Sequence, residues 1–283
     1  VNKRLQAHLL QDGRRLHLSD GPIDLIVAAW GEADQIAAAY QGARVCMEDL
    51  LDLLCKDLPV LRGHASGPAL SRTGRRMQEA VAPFAKERLL TPMAAVAGAV
   101  AEEVLGAMTS TARLSRAYVN NGGDIAFYLA PGERFVLGAV DRPDRPALFS
   151  AATIASADRV RGVATSGWRG RSFSLGIADA VTVLAARAAD ADAAATIIAN
   201  EVNLRRSDAI TRVKASDIDP NSDLGERLVT RSVPKLSEAD IAKALVGGAA
   251  MAQCLLRSGQ IIAAALHLQG TTQVIEAGYL RAA

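Results

Sequence analysis

The sequence predicts an α+β fold, with antiparallel sheets that carry helices packed on one face. Three observations lead there. Three short strand-like runs precede a long amphipathic helix, a region of mainly strands and turns follows a second long helix, and the strand–helix–strand pattern returns toward residue 283.

Taken in order, Leu5 to Leu10, Arg14 to Leu18 and Ile23 to Trp30 read as successive strands, separated by the turn residues Asp12-Gly13 and Ser19-Asp-Gly-Pro22. A helix is expected within Glu32 to Lys56. Its apolar residues Ile36, Ala39, Ala43, Met47, Leu50, Leu51 and Leu54 share one face, and Pro59 stands just beyond its end. A Gly- and Ser-containing loop from Arg62 to Thr73 leads to a short helix near Arg75 to Ala82. Thr91-Pro92 then opens a second long helix to about Met108, with Thr as cap and Pro in the first turn. Strands follow at Arg116 to Val119, Ile125 to Leu129, Phe135 to Val140, Ala147 to Ala155, Arg159 to Val163 and Val181 to Val183. Asp192 is expected to start a helix, and Ser237-Glu-Ala-Asp240 a capped helix to about Arg257. Ile261 to Leu268 and Thr272 to Ile275 close the pattern as strands. The polar stretch from Asn200 to Thr230 reads as an ordered excursion. No Pro/Gly/Ser linker or charge run divides the sequence, so residues 1–283 are expected to form one domain from two closely packed α+β halves.

Composition narrows the function classes. With 283 residues, half of them hydrophobic, the chain can bury a full core. The balance of 32 basic and 30 acidic residues leaves no broad positive footprint, and aromatics at 4% give few stacking platforms, so nucleic acid is not an expected partner. Cys46, Cys55 and Cys254 lack ligand spacing and are expected to be buried apolar residues in a reducing compartment. The opening Val1-Asn-Lys-Arg-Leu-Gln shows no apolar signal core or lipid-attachment cysteine, which gives a cytoplasmic expectation with no membrane partner.

Three polar breaks carry the chemistry. In Asp192-Ala-Ala-Ala-Thr196, a carboxylate and a hydroxyl four residues apart fall on one helix face, and two hard oxygen donors suit Mg²⁺. The alternative is an ordinary acidic residue in a helix first turn. Asn120-Asn121-Gly122-Gly123-Asp124 lies between two strand-like runs. It is either a hairpin turn or a cradle whose N–H groups line an anion or a planar ring. Thr165-Ser166-Gly167 ends a strand-like run, as a turn or a phosphate-holding pair of hydroxyls. Arg169 and Arg171 follow it, as diphosphate contacts or solvated loop residues. Asp179 is a metal or ligand contact, or the partner of a nearby Arg. Of the four histidines, His8, His17 and His267 fall in strands and are expected to face solvent or satisfy a local hydrogen bond. His64 lies in a loop.

In this order the pieces resemble the ApbE-like flavin transferase family, as a divergent branch of it. The signature pieces stand here as Ala94-Ala-Val-Ala-Gly98, Gly122-Gly-Asp124, Thr165-Ser-Gly167, the strand Val181-Thr-Val183, and Asp192-Ala-Ala-Ala-Thr196. The resemblance implies a T-fold type of α+β architecture and transfer of the FMN portion of FAD to an acceptor, using Mg²⁺. It implies metal ligands at Asp192, Thr196 and the carbonyl of Ala94. Asn121, Gly122, Gly123, Asp124, Thr165, Ser166, Gly167, Arg169 and Asp179 would then form the flavin nucleotide cradle, with an acceptor protein as a possible partner. The departures are Ala97 where the family has Lys, and Thr91 where it has Asp. The shorter Ser172 to Asp179 segment stands where the family has His-x-x-Asp-Pro. These leave a non-catalytic flavin- or pterin-binding protein as the second expectation.

Overall fold

The structure is a computed structural model that describes residues 4–84, 90–140, 148–205, 207–276 and 278–282. The elements are β1 (Gln6–Leu9), β2 (Leu16–Asp20), β3 (Ile23–Trp30), α1 (Ala33–Leu61), α2 (Arg72–Val81), α3 (Val96–Thr111), β4 (Arg116–Asn121) and β5 (Asp124–Leu129). They continue as β6 (Arg134–Val140), β7 (Leu148–Ala155), β8 (Gly162–Ser166), β9 (Ala180–Ala185), α4 (Ala188–Glu201), β10 (Thr211–Lys214) and α5 (Ala215–Ile218). The series closes with β11 (Leu228–Ser232), α6 (Glu238–Arg257), β12 (Ala263–Leu268), β13 (Thr271–Ile275) and β14 (Leu280–Ala282). Short 3₁₀ turns lie at Ala82–Phe84 and Pro92–Ala95. The chain divides into two compact units.

The first unit takes the chain to Arg134, with Ala155–Val163 and Ala186–Asp192. Strands β1 to β5 pair antiparallel in sequence order, and β5 pairs onward with Gly162 and Val163 of β8. Alternation fixes which face is covered. Leu16 and Leu18 of β2, Leu25 and Val27 of β3, and Ala117 and Val119 of β4 are buried, while His17, Asp24 and Tyr118 point the other way. Helices α1 and α3 cover the buried face, α1 against β2 and β3, α3 against β4 and β5.

The second unit takes Phe135–Ile154, Ala164–Ala185 and the chain from Ala193 onward. Within it the last residues of β8 run beside β9, and β9, β12 and β13 pair antiparallel. Strands β9 and β12 are buried at every position, so they read as apolar runs without alternation. Helix α6 packs on β12 and β13, β7 pairs with both β6 and β14, and β10 and β11 form a separate hairpin.

The α+β class with antiparallel sheets and helices on a sheet face stands as read. Several boundaries move. Helix α1 runs through Pro59, whose carbonyl accepts from the N–H groups of His64 and Ala65 at 2.8 Å, so the proline sits in the last turn and not beyond it. The helix expected from Thr91 begins as a 3₁₀ turn and becomes α-helical only at Val96. The strand expected at Arg159 to Val163 is displaced to Gly162–Ser166, because Arg161 folds back on the carbonyls of Ser156, Asp158 and Val160 and holds a turn there. Thr165 and Ser166 are therefore strand residues, and only Gly167 begins the turn. Ser237 caps α6 as its local pattern indicates, accepting from the Asp240 N–H. Ala147 of the expected Ala147 to Ala155 strand lies outside the described residues. The cysteines depart from expectation: Cys55 and Cys254 are exposed, and Cys46 is partly covered, its thiol pushed up to about 11 by burial.

Among the described residues two helices, Pro92–Thr111 and Glu238–Arg257, are long and apolar enough to cross a membrane by length and composition. Each lays its buried stripe on its own unit's sheet, as the central helix of a folded domain does.

Candidate functional site

The first unit gathers Ala94, Asn121, Gly122, Gly123, Asp124 and Asp192. Helix α4 starts at Ala188, four residues before the expected start at Asp192. The reason is non-local. No Ser, Thr or Asn precedes it, and its Ala189 N–H is instead capped by Glu102 Oε1 of α3 at 2.9 Å. Burial pushes the Glu102 carboxyl up, against the opposing pull of the Ala189 N–H, Arg76 and Arg187. Arg76 is 2.8 Å from Glu102 and 2.6 Å from Glu103, and Arg187 binds Asp190 at 3.0 Å and Glu79 at 3.2 Å.

Two glycines let the α4 start lie this deep. A Cβ at Gly98 would stand 2.3 Å from the Ala188 carbonyl oxygen, and one at Gly162 would stand 2.2 Å from the Ala188 nitrogen. Neither position has room for a side chain.

Asp192 therefore sits in the second turn of α4 and does not serve its own helix start. Its Oδ2 accepts from the Gly98 N–H at 3.0 Å, so it caps α3 from across the unit. Burial raises the Asp192 carboxyl well above the usual range. The charge of nearby Asp124 raises it further, and the Gly98 and Ala97 N–H groups offset part of this. Asp124 opens β5 opposite Asn121, across a two-residue hairpin in which Gly122 and Gly123 take φ of 67° and 112°. A Cβ at Gly123 would meet nothing within 4 Å, so the turn faces open space. Asn121 is buried and donates to the Ala97 carbonyl at 3.3 Å, tying the hairpin to the α3 start. Ala94 lies in the 3₁₀ turn just before α3.

Along α4, Asp192, Thr196 and Asn200 recur every four residues and are half-buried, whereas Ala193, Ala194, Ala195, Ile197, Ile198 and Ala199 are buried. The helix thus presents one narrow polar stripe. The four-residue spacing encodes the stripe, and Asn200 extends it one turn beyond Asp192 and Thr196.

The second unit gathers Thr165, Ser166, Gly167, Arg169, Asp179 and Thr196. Asp179 is buried and well satisfied. It accepts from Arg169 Nε at 2.6 Å, Trp168 Nε1 at 3.1 Å and the Gln269 N–H at 2.6 Å, and its own N–H donates to the His267 carbonyl at 3.0 Å. The Arg169 guanidinium also lies over the Trp168 ring, 4.4 Å from its centroid. A Cβ at Gly167 would meet the Asp179 carbonyl oxygen at 2.4 Å, so glycine is needed where the chain turns against Asp179. Thr165 and Thr182 share a hydroxyl hydrogen bond at 2.8 Å. His267, expected to face solvent or satisfy a local bond, is buried and bonded to Thr272 Oγ1 at 2.8 Å.

Among the described residues no group of three or more His, Cys, Asp and Glu side chains is arranged to hold a metal. A cation at Asp124 and Asp192 would have to draw its further ligands from carbonyl, hydroxyl, water or phosphate oxygens. That is a donor set suited to Mg²⁺.

Comparison with known proteins places the chain. It is 42% identical over 125 residues to the UPF0280 protein of Methanopyrus kandleri, covering 44% of this chain and 46% of that one. It is 35% identical over 169 residues to the UPF0280 protein of Methanosphaerula palustris, covering 55% of this chain and 65% of that one. The matched segments thus span about half to two-thirds of those relatives. A crystal structure of Pseudomonas stutzeri flavinyl transferase ApbE aligns over 97% of this chain and 95% of that one, at 12% identity and a TM-score of 0.43. The family model described as AbpE bacteria matches residues 7–274, and the chain belongs to that family.

Proposed function

We propose that the protein is a Mg²⁺-dependent transferase acting on a flavin nucleotide, moving the FMN portion of FAD to an acceptor hydroxyl on a protein or small molecule. The observation that carries this reading is the Asp124–Asp192 carboxylate pair at the open glycine hairpin. Burial raises the Asp192 carboxyl and the charge of Asp124 raises it further, against the pull of the Gly98 and Ala97 N–H groups. A divalent cation would relieve that repulsion.

The residues fit Mg²⁺. The Asp192 carboxylate, engaged by the Gly98 and Ala97 N–H groups, is a hard oxygen donor, Ala94 offers a carbonyl, and Thr196 stands one turn along the same helix. When bound, the metal supplies neutralisation of the FAD diphosphate. The Gly122-Gly123 turn gives close backbone approach beside Asn121 and Asp124. Within the second unit, Asp179 holds Arg169, whose charge suits a phosphate, close to the Thr165, Ser166 and Gly167 segment. In the reaction the acceptor oxygen bonds to the FMN phosphorus, the P–O bond to AMP breaks, AMP leaves with the electron pair, and the acceptor proton passes to solvent.

One observation favours a second reading, a flavin- or pterin-binding protein without turnover. Ala97 stands where the resemblance places a Lys, and its carbonyl is taken by Asn121. Calorimetry with FAD and Mg²⁺, paired with mass spectrometry for AMP and a flavin-bearing acceptor, separates the two. We expect Mg²⁺-dependent FAD binding that Asp192→Ala abolishes, and weak modification of a standard Thr-containing acceptor. Equal binding by wild type and Asp192→Ala would reduce the carboxylate to a helix cap and end the metal assignment. FAD bound but never cleaved, with any acceptor tried, would select the binding protein.

A further inference from the structure

The face of β1, β2 and β3 opposite the helices carries a second polar group, unrelated to the carboxylate pair. Burial of Leu16 and Leu18 turns His17 outward on β2, and the β1–β2 register sets His8 directly opposite it. On the far side Asp24 projects from β3, paired with Ser19 and diagonal to His17. His17 Nε2 lies 2.9 Å from Asp24 Oδ1, and His17 Nδ1 lies 3.3 Å from His8 Nε2.

An ionised carboxylate only accepts, so the contact with Asp24 requires the proton on His17 Nε2. A neutral His17 then presents the Nδ1 lone pair toward His8. The 3.3 Å between the two ring nitrogens is long for a hydrogen bond. It matches two imidazole nitrogens on one tetrahedral cation, for which metal–nitrogen bonds of about 2.0–2.1 Å set the two nitrogens roughly 3.3–3.4 Å apart. The rings stand at 85° with centroids 4.8 Å apart, so they do not stack and block such a point. His8 is exposed and Asp24 is 54% exposed at its side chain, so water can complete the coordination.

We propose that His8 and His17 form a binding site for a late first-row divalent cation, Zn²⁺ or Ni²⁺, with Asp24 as the positioning residue that fixes the His17 tautomer. Imidazole donors select these ions over Mg²⁺, which separates this site from the oxygen-only cluster at Asp192. A carboxylate behind a ligating histidine is the arrangement that raises ligand basicity and holds ring orientation.

The test is competition against a chromophoric zinc chelator, with millimolar Mg²⁺ present throughout. Wild-type protein should show a saturable Zn²⁺ site that weakens by at least about 30-fold in His8→Ala and in His17→Ala. Asp24→Asn should weaken it by roughly 10- to 100-fold, the range for loss of such a partner. Asp192→Ala should leave it unchanged. Nitrogen-15 imidazole spectra should show His17 held as the Nε2–H tautomer in wild type and as a mixture in Asp24→Asn, a readout that general destabilisation does not reproduce. Circular dichroism confirms that each variant is folded. Wild-type affinity in either histidine variant overturns the site. An unchanged tautomer and affinity in Asp24→Asn overturns the positioning role.

Discussion

Asp192 and Asp179 are both carboxylates set among apolar residues, yet they are solved in opposite ways. Asp179 is matched by a guanidinium, an indole N–H and a backbone N–H, and its surroundings leave it nothing further to do for stability. Asp192 meets two backbone N–H groups and a second carboxylate, a balance that keeps its pKa raised. The contrast teaches that burial alone does not mark a functional acid. The sign of the nearest charge matters as much, because breaking a buried, paired carboxylate is costly whereas one facing its like has its proton affinity raised.

The sharpest way to break this comparison is Asp179→Ala. It leaves the Arg169 charge and the Trp168 and Gln269 donors without their partner, and breaking such a buried pair costs about 3–5 kcal/mol. Urea denaturation should show that loss. A change below about 1 kcal/mol would mean that solvent replaces the carboxylate, and the contrast would collapse.

A smaller effect is expected at the glycine that lets Asp192 reach α3. Gly98→Ala forces a methyl onto the Ala188 carbonyl, and overpacking of this kind costs about 1–3 kcal/mol. Thermal unfolding measures it, and Gly106→Ala, which meets nothing within 4 Å on the same helix, is the control and should not destabilise.

The smallest effect has the opposite sign. The folded pKa of Asp192 lies above its ordinary value, so the folded state holds this proton more tightly than the unfolded chain does. Metal-free stability should therefore fall as pH rises from near 3.8 through the folded pKa. Asp192→Asn removes the repulsion and should stabilise the metal-free protein at neutral pH by about 1 kcal/mol, flattening that part of the pH profile. Mg²⁺ should raise the melting temperature of wild type and not of this variant. A destabilised Asp192→Asn would show that the hydrogen bond to Gly98 outweighs the repulsion.

Legibility followed the range of the cause. Alternation in β2, β3 and β4 was readable because one face of each strand is covered, and Ser237 because its cap partner lies three residues on. The start of α4 was not, because its cap comes from Glu102 and its depth from Gly98 and Gly162, all distant in sequence. Thr165 and Ser166 looked like a turn because hydroxyls and glycine favour turns, yet they pair in β8. The hairpin of β10 and β11 carries no strand signal, because Thr211-Arg-Val-Lys214 has a single aliphatic residue. Within the candidate site, the residue types at Asp192, Thr196 and the Gly122-Gly123 turn were legible. The charge interaction of Asp124 with Asp192 was not, since no local pattern encodes an interaction between a hairpin and a helix so far apart.

Helices α3 and α4 cap one another: Glu102 of α3 takes the Ala189 N–H, and Asp192 of α4 takes the Gly98 N–H. Neither helix start is complete until the other has arrived, and the two contacts span 94 and 87 positions of chain. Their formation is thus a loop-closure event and not a local one. In native-state hydrogen exchange the amides of Gly98 and Ala189 should open together, with one free energy and one denaturant dependence. Loss of either carboxylate should speed exchange at both.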